Sequence, residues 1–357
     1  SFSICVFLRR VRHRRLGFFM RKSLLVLILV VSCSRHVEVR GYSMASAFSA
    51  RGECSIPEAE TQRSIESAFY EVDASMSNWS QTSEVSRFNS MPVGESMAMS
   101  QSLEIVLGKS VDVYEKTEGL FDPAIGELIE AWGFGVNEIP RAAWVRSQAR
   151  VDSGWNGVTR RGGRWIRSKP VTLNVSGIAK GYAVDLALSR TVSKCERLLI
   201  DLGGEVGTKG SWTVAVRHPG DKNRTIGQVD VTDAAVATSG TYANSRTLAG
   251  VRFSHILHPR TGEPVRALLS VTVVGPDGAY ADALATALVL AFSMNDEDRT
   301  AGRILARFPA YSAIAVRPYS THATGLSNLE EGVGSYAITI AGLSIPFKCT
   351  NPAASRN

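Results

Sequence analysis

The sequence predicts an α+β fold with mixed or antiparallel sheets and packed helices. Two observations carry this. Apolar stripes at helical spacing stand beside short alternating runs, and the two kinds of segment mix without a regular βαβ rhythm. The 357-residue chain is 44% hydrophobic and 20% charged, an ordinary globular composition with ample material for a core.

The elements follow in order. Residues 34–57 are polar and small and read as a tether, placed at 34–43, followed by a first strand. Ile65, Ala68, Phe69, Val72 and Met76 mark a helix over Thr61–Met76. Trp79–Asn89 reads as a polar loop. Leu103, Val106, Leu107, Val111 and Tyr114 mark a second helix over Ser102–Thr117, with Gly119 as its stop. Residues 136–160 look irregular. Arg164–Ser168 and Val171–Val175 look like a strand pair, and Ile178–Ser193 like a helix led by the turn SGIAKG. Leu198–Leu202, Trp212–Arg217, Val236–Gly240, Phe253–Leu257, Leu269–Val274 and Ala313–Val316 read as strands. Ala281–Phe292 is a helix between the last two, and 336–347 closes the sheet.

The net charge of +7 suggests nucleic acid until it is located. Residues 1–40 hold nine Lys/Arg and one acid, a net +8, which leaves about −1 for residues 41–357. The charge balance therefore argues against a nucleic-acid partner. Residues 1–33 read as an export signal. Met20-Arg21-Lys22 opens a charged region, and Leu24–Val31 is an apolar run too short for a stable bilayer span. Residues before Met20 read as upstream sequence from a misplaced start. The small residues before Cys33 resemble a lipoprotein cleavage box, with an ordinary signal peptide as the alternative. Cys54, Cys195 and Cys349 then allow at most one disulfide, and spacing does not choose the pair. No CxxC or His/Cys cluster points to zinc or iron–sulfur.

The chemistry concentrates in a few places. In ADALATAL, residues 281–288, Asp282 and Thr286 lie one helical turn apart on one face. A carboxylate and a hydroxyl there offer two hard oxygens, the chemistry that Mg²⁺ selects. A capping Asp and a back-bonded Thr are the competing reading. Ser176–Gly181 precedes a helix, where backbone N–H groups and Lys180 suit a phosphate; a plain strand-to-helix turn is the alternative. Asp201-Leu202-Gly203-Gly204-Glu205 and Thr238-Ser239-Gly240 offer polar groups at turns. His255, in SHILHPRTG, has an imidazole able to accept a proton near neutral pH, and Arg260 suits a phosphate. On a regular strand His255 and His258 face opposite sides, against their sharing a metal. No GxSxG, HExxH or Ser-His-Asp pattern appears.

GLFDPAIGELIEAWGFG, SGIAKGYAVD, LLIDLGGEV, VATSG, SHILHPRTGEPV and SVTVVGPDGAYADALATAL occur in this order. Together they resemble the ApbE family of bacterial FAD:protein FMN transferases, from about Met44 to Phe347. The resemblance implies an ApbE-like flavin transferase fold over 44–347 with a C-terminal tail at 348–357. It implies an exported enzyme that takes FAD as substrate and Mg²⁺ as cofactor, and transfers FMN to a Thr or Ser hydroxyl of a protein, releasing AMP. The implied acceptors are flavoprotein subunits of membrane redox complexes. With the cleavage box read above, the expected location is the periplasmic face of a bacterial membrane, anchored by lipid at Cys33. Met44, Trp79, Leu120, Phe121, Asp122, Asn174, Lys180 and Leu257 match flavin-nucleotide contacts. The Gly177 carbonyl, Asp282 and Thr286 match the Mg²⁺ ligands, and His255 the base. Asn174 and His258 stand where Asp is usual, and Ala285 where some members carry a second Asp. FAD hydrolysis to FMN and AMP, and lipid-anchored flavin binding without turnover, are the rival outcomes for the same residues.

Overall fold

The computed structural model describes residues 34–349, apart from breaks at 137, 152–153, 220, 249, 268, 295–296, 319–328, 331–335 and 343–346. The export-signal reading of 1–33, with Cys33, lies outside the described residues. The chain begins with β1 (Arg35–Ser43) and β2 (Ser46–Cys54). It continues through α1 (Glu58–Met76), α2 (Glu84–Ser90), β3 (Ser96–Met97), α3 (Gln101–Lys116), α4 (Gly126–Ala131), α5 (Ala143–Val151), β4 (Val158–Arg161) and β5 (Arg164–Arg167). Next come α6 (Ser176–Thr191), β6 (Cys195–Leu202), β7 (Glu205–Lys209), β8 (Ser211–His218), β9 (Asp221–Thr232), β10 (Ala235–Gly240), β11 (Ser245–Leu248) and β12 (Val251–Ser254). The last stretch holds β13 (Ser270–Gly275), α7 (Gly278–Ala291), α8 (Glu297–Ala306), β14 (Ser312–Pro318), β15 (Leu329–Glu330), β16 (Tyr336–Gly342) and β17 (Phe347–Cys349).

The main sheet has nine strands in the order β1-β2-β6-β7-β10-β13-β14-β16-β15. Its pairings are antiparallel. The expected α+β class is what the structure has. Both faces of the sheet are buried, and the period-2 alternation of each strand feeds two cores. Leu198, Ile200, Val271, Val273, Ala313 and Ala315 face a core shared with α1, α3, α6 and α7. Leu199, Val274, Ile314 and Val316 face the opposite way, onto Val214, Val216, Val229 and Val231 of the small β17-β9-β8 sheet. A third cluster joins Leu128, Trp132, Phe134, Phe253 and Leu257 beside α4 and α5.

Several expectations need correction. Residues 34–43 are not a tether. Val37 and Val39 are buried on alternate positions of β1, which pairs with β2 along its whole length. The charges between those valines hid a strand pattern of only two apolar residues. Trp79–Asn89 is not all loop. Ser83 caps α2 by accepting the Ser86 N–H (3.0 Å), the role a Ser before a short helix serves. The stretch 136–160 holds α5 and the start of β4. β5 pairs with β4 and β3, not with Val171–Val175. Val171, Leu173 and Val175 are buried as an irregular segment. The helix expected at 178–193 begins at Ser176, so SGIAKG forms its first turns rather than a leading loop. The strand expected at 253–257 stops at Ser254. Lys348 and Cys349 belong to β17, which pairs with β9, and not to a tail.

The disulfide left open by the sequence joins Cys54 to Cys195, neighbours in register on β2 and β6. It closes a loop with a sequence separation of 141, so it removes much of the freedom of the unfolded chain. Replacing both cysteines by Ala is expected to cost about 2–5 kcal/mol of stability. Urea unfolding of the double variant checks this, and an unchanged midpoint would contradict it.

Candidate functional site

A cavity of about 450 Å³ opens among the ends of β10, α6 and α7 and the loops around Phe121 and His255. Trp79, Leu120, Phe121, Asp122, Asn174, Gly177, Lys180, His255, Leu257, Asp282 and Thr286 all line it. Residues spread over more than 200 positions thus line one cavity. Met44 is the exception. It sits with Ala45 in the two-residue turn between Ser43 and Ser46, both at positive φ (48° and 56°). That backbone matches the twist of a tight hairpin. For non-glycine residues it stores about 1–3 kcal/mol of strain each. The turn carries Ala45 and Ser46, not Met44, to the cavity wall. Neither His258 nor Arg260 lines it. His258 Nδ1 instead accepts the Arg260 N–H (3.2 Å) and closes the turn.

One wall is apolar and aromatic. Phe121 and Leu120 are 5% exposed, Leu257 is 2% exposed, and Trp79 stands out at 61%. An exposed Trp at the mouth of a buried apolar slot is a stacking surface for a planar ring. Asp122 sits beneath. Its Oδ1 accepts the Ala124 N–H (2.8 Å) and its Oδ2 the Trp155 N–H (3.2 Å). Burial raises its pKa against those two donors. Asn174 Oδ1 accepts the Ser176 N–H (3.0 Å), an Asx turn leading into α6 that an Asp carboxylate would also accept.

The opposite wall is charged. α7 is buried on nearly all sides, which takes Asp282 into the interior at 4% exposed. Asp282 Oδ2 accepts the Gly181 N–H of α6 (3.1 Å). Burial, then repulsion from Glu205, pushes its pKa up to about 7, against the pull of Lys180. Glu205 is 3% exposed, and burial raises it too. Lys180 Nζ lies 2.6 Å from Glu205 Oε2. Burial opposes the Lys180 ammonium, but Glu205, Asp282 and Asp201 outweigh it and hold its pKa above the usual lysine value. Thr286 Oγ1 and Ser239 Oγ share a hydrogen bond of 3.1 Å. A Cβ placed on Gly177 would lie 3.4 Å from Thr286 Oγ1. The first turn of α6 and the middle of α7 are therefore in touch.

This donor set fits a hard divalent cation. The Asp282 carboxylate and the Thr286 hydroxyl line the same cavity as Gly177, a set of oxygen-bearing residues of the kind a hard cation takes. Among the described residues no group of three or more His, Cys, Asp or Glu forms a metal cage. A cation here would rest on one carboxylate and neutral oxygens, since Ala285 supplies no second acid.

His255 follows β12 on a bend. Its Nδ1 is 3.0 Å from the Asn244 carbonyl. A carbonyl only accepts, so Nδ1 carries the proton and Nε2 is left as the acceptor. Burial lowers the His255 pKa, Asn244 raises it, and Lys180 lowers it again. The net shift is downward, so the ring is neutral near pH 7.

Sequence reasoning missed Glu205, Ser239, Asn244 and Phe134 as wall residues. The first two sit in the turns LGGEV and VATSG, where Asp201 at the strand end is the more prominent carboxylate in the sequence. Asp201 Oδ1 accepts the Gly204 N–H (2.8 Å) and holds the turn. Asn244 had no signal, because its role is a backbone carbonyl.

Asp282 has a folded-state pKa above the usual carboxylate value, so it favours the folded state at low pH. That stability is lost as pH rises from about 4 through about 7. Asp282→Asn keeps the shape without the charge. In cation-free buffer it is expected to melt several degrees higher than the parent at pH 8 and about equally at pH 4. Thermal unfolding with chelator checks this, and equal destabilisation at both pH values would contradict it.

The chain is similar to known proteins over most of its length. The family model described as ApbE family matches residues 36–299. A FAD:protein FMN transferase of Vibrio cholerae is 30% identical over 283 residues, 74% of this chain and 85% of that protein. The solved flavin transferase ApbE from Vibrio cholerae superposes with a TM-score of 0.71 at 25% identity, covering 86% of this chain and 97% of that one. The apo flavinyl transferase ApbE of Pseudomonas stutzeri shares the fold, with a TM-score of 0.73 at 24% identity over 86% of this chain and 95% of that one.

Proposed function

The chain belongs to the ApbE family, and on that premise we propose that it is a FAD:protein FMN transferase acting on a protein Thr or Ser hydroxyl. The observation that carries the reading is the single cavity itself. It holds an aromatic slot, an oxygen-donor set on two touching helices, and an imidazole with a free Nε2.

The reaction needs a weak nucleophile and a charged leaving group to be handled together. The acceptor hydroxyl oxygen attacks the phosphorus on the FMN side of the FAD pyrophosphate. The bond from that phosphorus to the bridging oxygen breaks, and AMP leaves with the oxygen and its electron pair. The acceptor proton passes to His255 Nε2. Lys180 and the first turn of α6 neutralise phosphate charge, and Glu205 holds the Lys180 ammonium in place. Trp79, Phe121 and Leu257 orient the flavin ring and exclude water from it. Gly177, Asp282 and Thr286 would hold Mg²⁺, which supplies charge neutralisation on the phosphates when bound.

The site of action follows from the same reading. We place the enzyme outside the cytoplasm, on the periplasmic side and lipid-anchored at Cys33, with acceptors among flavoprotein subunits of membrane redox complexes. A cross-strand disulfide in the folded chain supports an oxidising compartment.

The test is intact mass of an acceptor subunit after incubation with FAD, with and without Mg²⁺. Transfer adds FMN less water to the acceptor and yields equimolar AMP. Free FMN without an adduct would replace transfer with hydrolysis, and bound FAD without AMP would remove turnover altogether. His255→Ala is expected to lower transfer about 10²–10⁴-fold with FAD affinity nearly unchanged. In the parent, the acid limb of kcat/KM is expected below the ordinary histidine value of 6.5, because the imidazole must be unprotonated. A limb above that value, or full activity of the variant, would take His255 out of the role.

A further inference from the structure

α6 and α7 cross at two glycines, and each helix holds the other through a carboxylate. A Cβ on Gly181 would overlap the Gly278 carbonyl and lie 2.9 Å from Asp282 Cβ. A Cβ on Gly278 would lie 2.7 Å from Asp185 Oδ1 and 2.8 Å from the Gly181 carbonyl oxygen. Asp282 of α7 accepts the Gly181 N–H of α6 (3.1 Å). In return, Asp185 of α6 accepts two N–H groups from the start of α7. Gly278 donates to Oδ1 at 2.8 Å and Ala279 to Oδ2 at 3.0 Å.

These bonds reach the oxygen donors of the cavity. In a regular helix the Gly181 N–H donates to the carbonyl four residues earlier, that of Gly177. Asp282 takes a share of that donor, so the Gly177 carbonyl keeps acceptor capacity for another partner. The separation between Gly177 and the Asp282–Thr286 pair therefore depends on how α7 is seated along α6. Asp185 sets that seating from the outer end of the crossing. It does not line the cavity.

Asp277 provides the contrast. It also serves the start of α7, accepting the Tyr280 N–H at 3.0 Å. It belongs to the segment leading into α7 itself and pairs with Lys109 of α3, so it caps the helix without tying it to α6.

We propose that Asp185 is a positioning residue for the divalent-cation site, through the crossed carboxylate bonds that fix α7 on α6. This rests on the reading of Gly177, Asp282 and Thr286 as cation ligands. Partners that orient ligands from behind typically account for about 10–100-fold in metal affinity.

The test is Mn²⁺ affinity of the full exported chain, by calorimetry without FAD, beside its melting temperature. Asp185→Ala is expected to weaken Mn²⁺ at least about 10-fold. Asp185→Asn keeps one carbonyl acceptor and is expected to lose less affinity than the Ala variant but still bind more weakly than the parent. It serves alone if the Ala variant does not fold. Asp277→Ala is expected to lower the melting temperature comparably while leaving Mn²⁺ affinity nearly unchanged. Parent-like affinity in both Asp185 variants overturns the proposal, as does an equal loss in Asp277→Ala. Absence of Mn²⁺ binding in the parent overturns the cation reading itself, an outcome distinct from either.

Discussion

The close crossing of α6 on α7 is the constraint on which the site depends. Two helices approach this closely only where neither carries a side chain, and here Gly181 and Gly278 meet that demand. The approach brings the first turn of one helix against the middle of the other. It brings Gly177, Asp282 and Thr286 to one cavity wall, although they come from segments about 100 residues apart. It also buries the Asp282 carboxylate, which raises its pKa.

The rest of the fold serves that crossing. The nine-stranded sheet supports both helices on one face and is itself backed by the small sheet on the other. The start of β7 and the end of β10 carry Glu205 and Ser239 to α6 and α7. Glu205 balances Lys180, and Ser239 bonds Thr286. The remaining wall takes Leu120 and Phe121 from the core that α6 and α7 share, and Leu257 from the third cluster. One wall is thus apolar and aromatic and the other charged, the pairing that the proposed flavin dinucleotide substrate calls for.

Much of the site was legible because its chemistry sits in unusual local words. A carboxylate inside a run of Ala and Leu stands out, as does a His in a turn rich in Pro, Arg and Gly. The helices over 61–76 and 102–117 were legible for the ordinary reason that their apolar stripes face a core. What stayed hidden was set by tertiary context. β1 has two buried valines among charges, too short a signal to separate from a tether. Val171–Val175 has strand composition but spends its apolar residues on filling a gap, while β5 finds β4 across a turn. Asp185 reads as one more acid at the end of SGIAKGYAVD, and only the partner helix reveals its two backbone donors. Met44 matched the family position, yet the hairpin backbone turns its neighbours to the cavity instead.

The most direct measurement is an experimental structure of the protein with FAD and Mg²⁺ bound. The account requires the flavin ring against Trp79 and Phe121 and the pyrophosphate between Lys180 and α7. It requires a cation about 2.1 Å from the Gly177 carbonyl, Asp282 and Thr286, with His255 Nε2 facing the FMN phosphorus. A pyrophosphate seated away from α7, or a cation held by other residues, would contradict it.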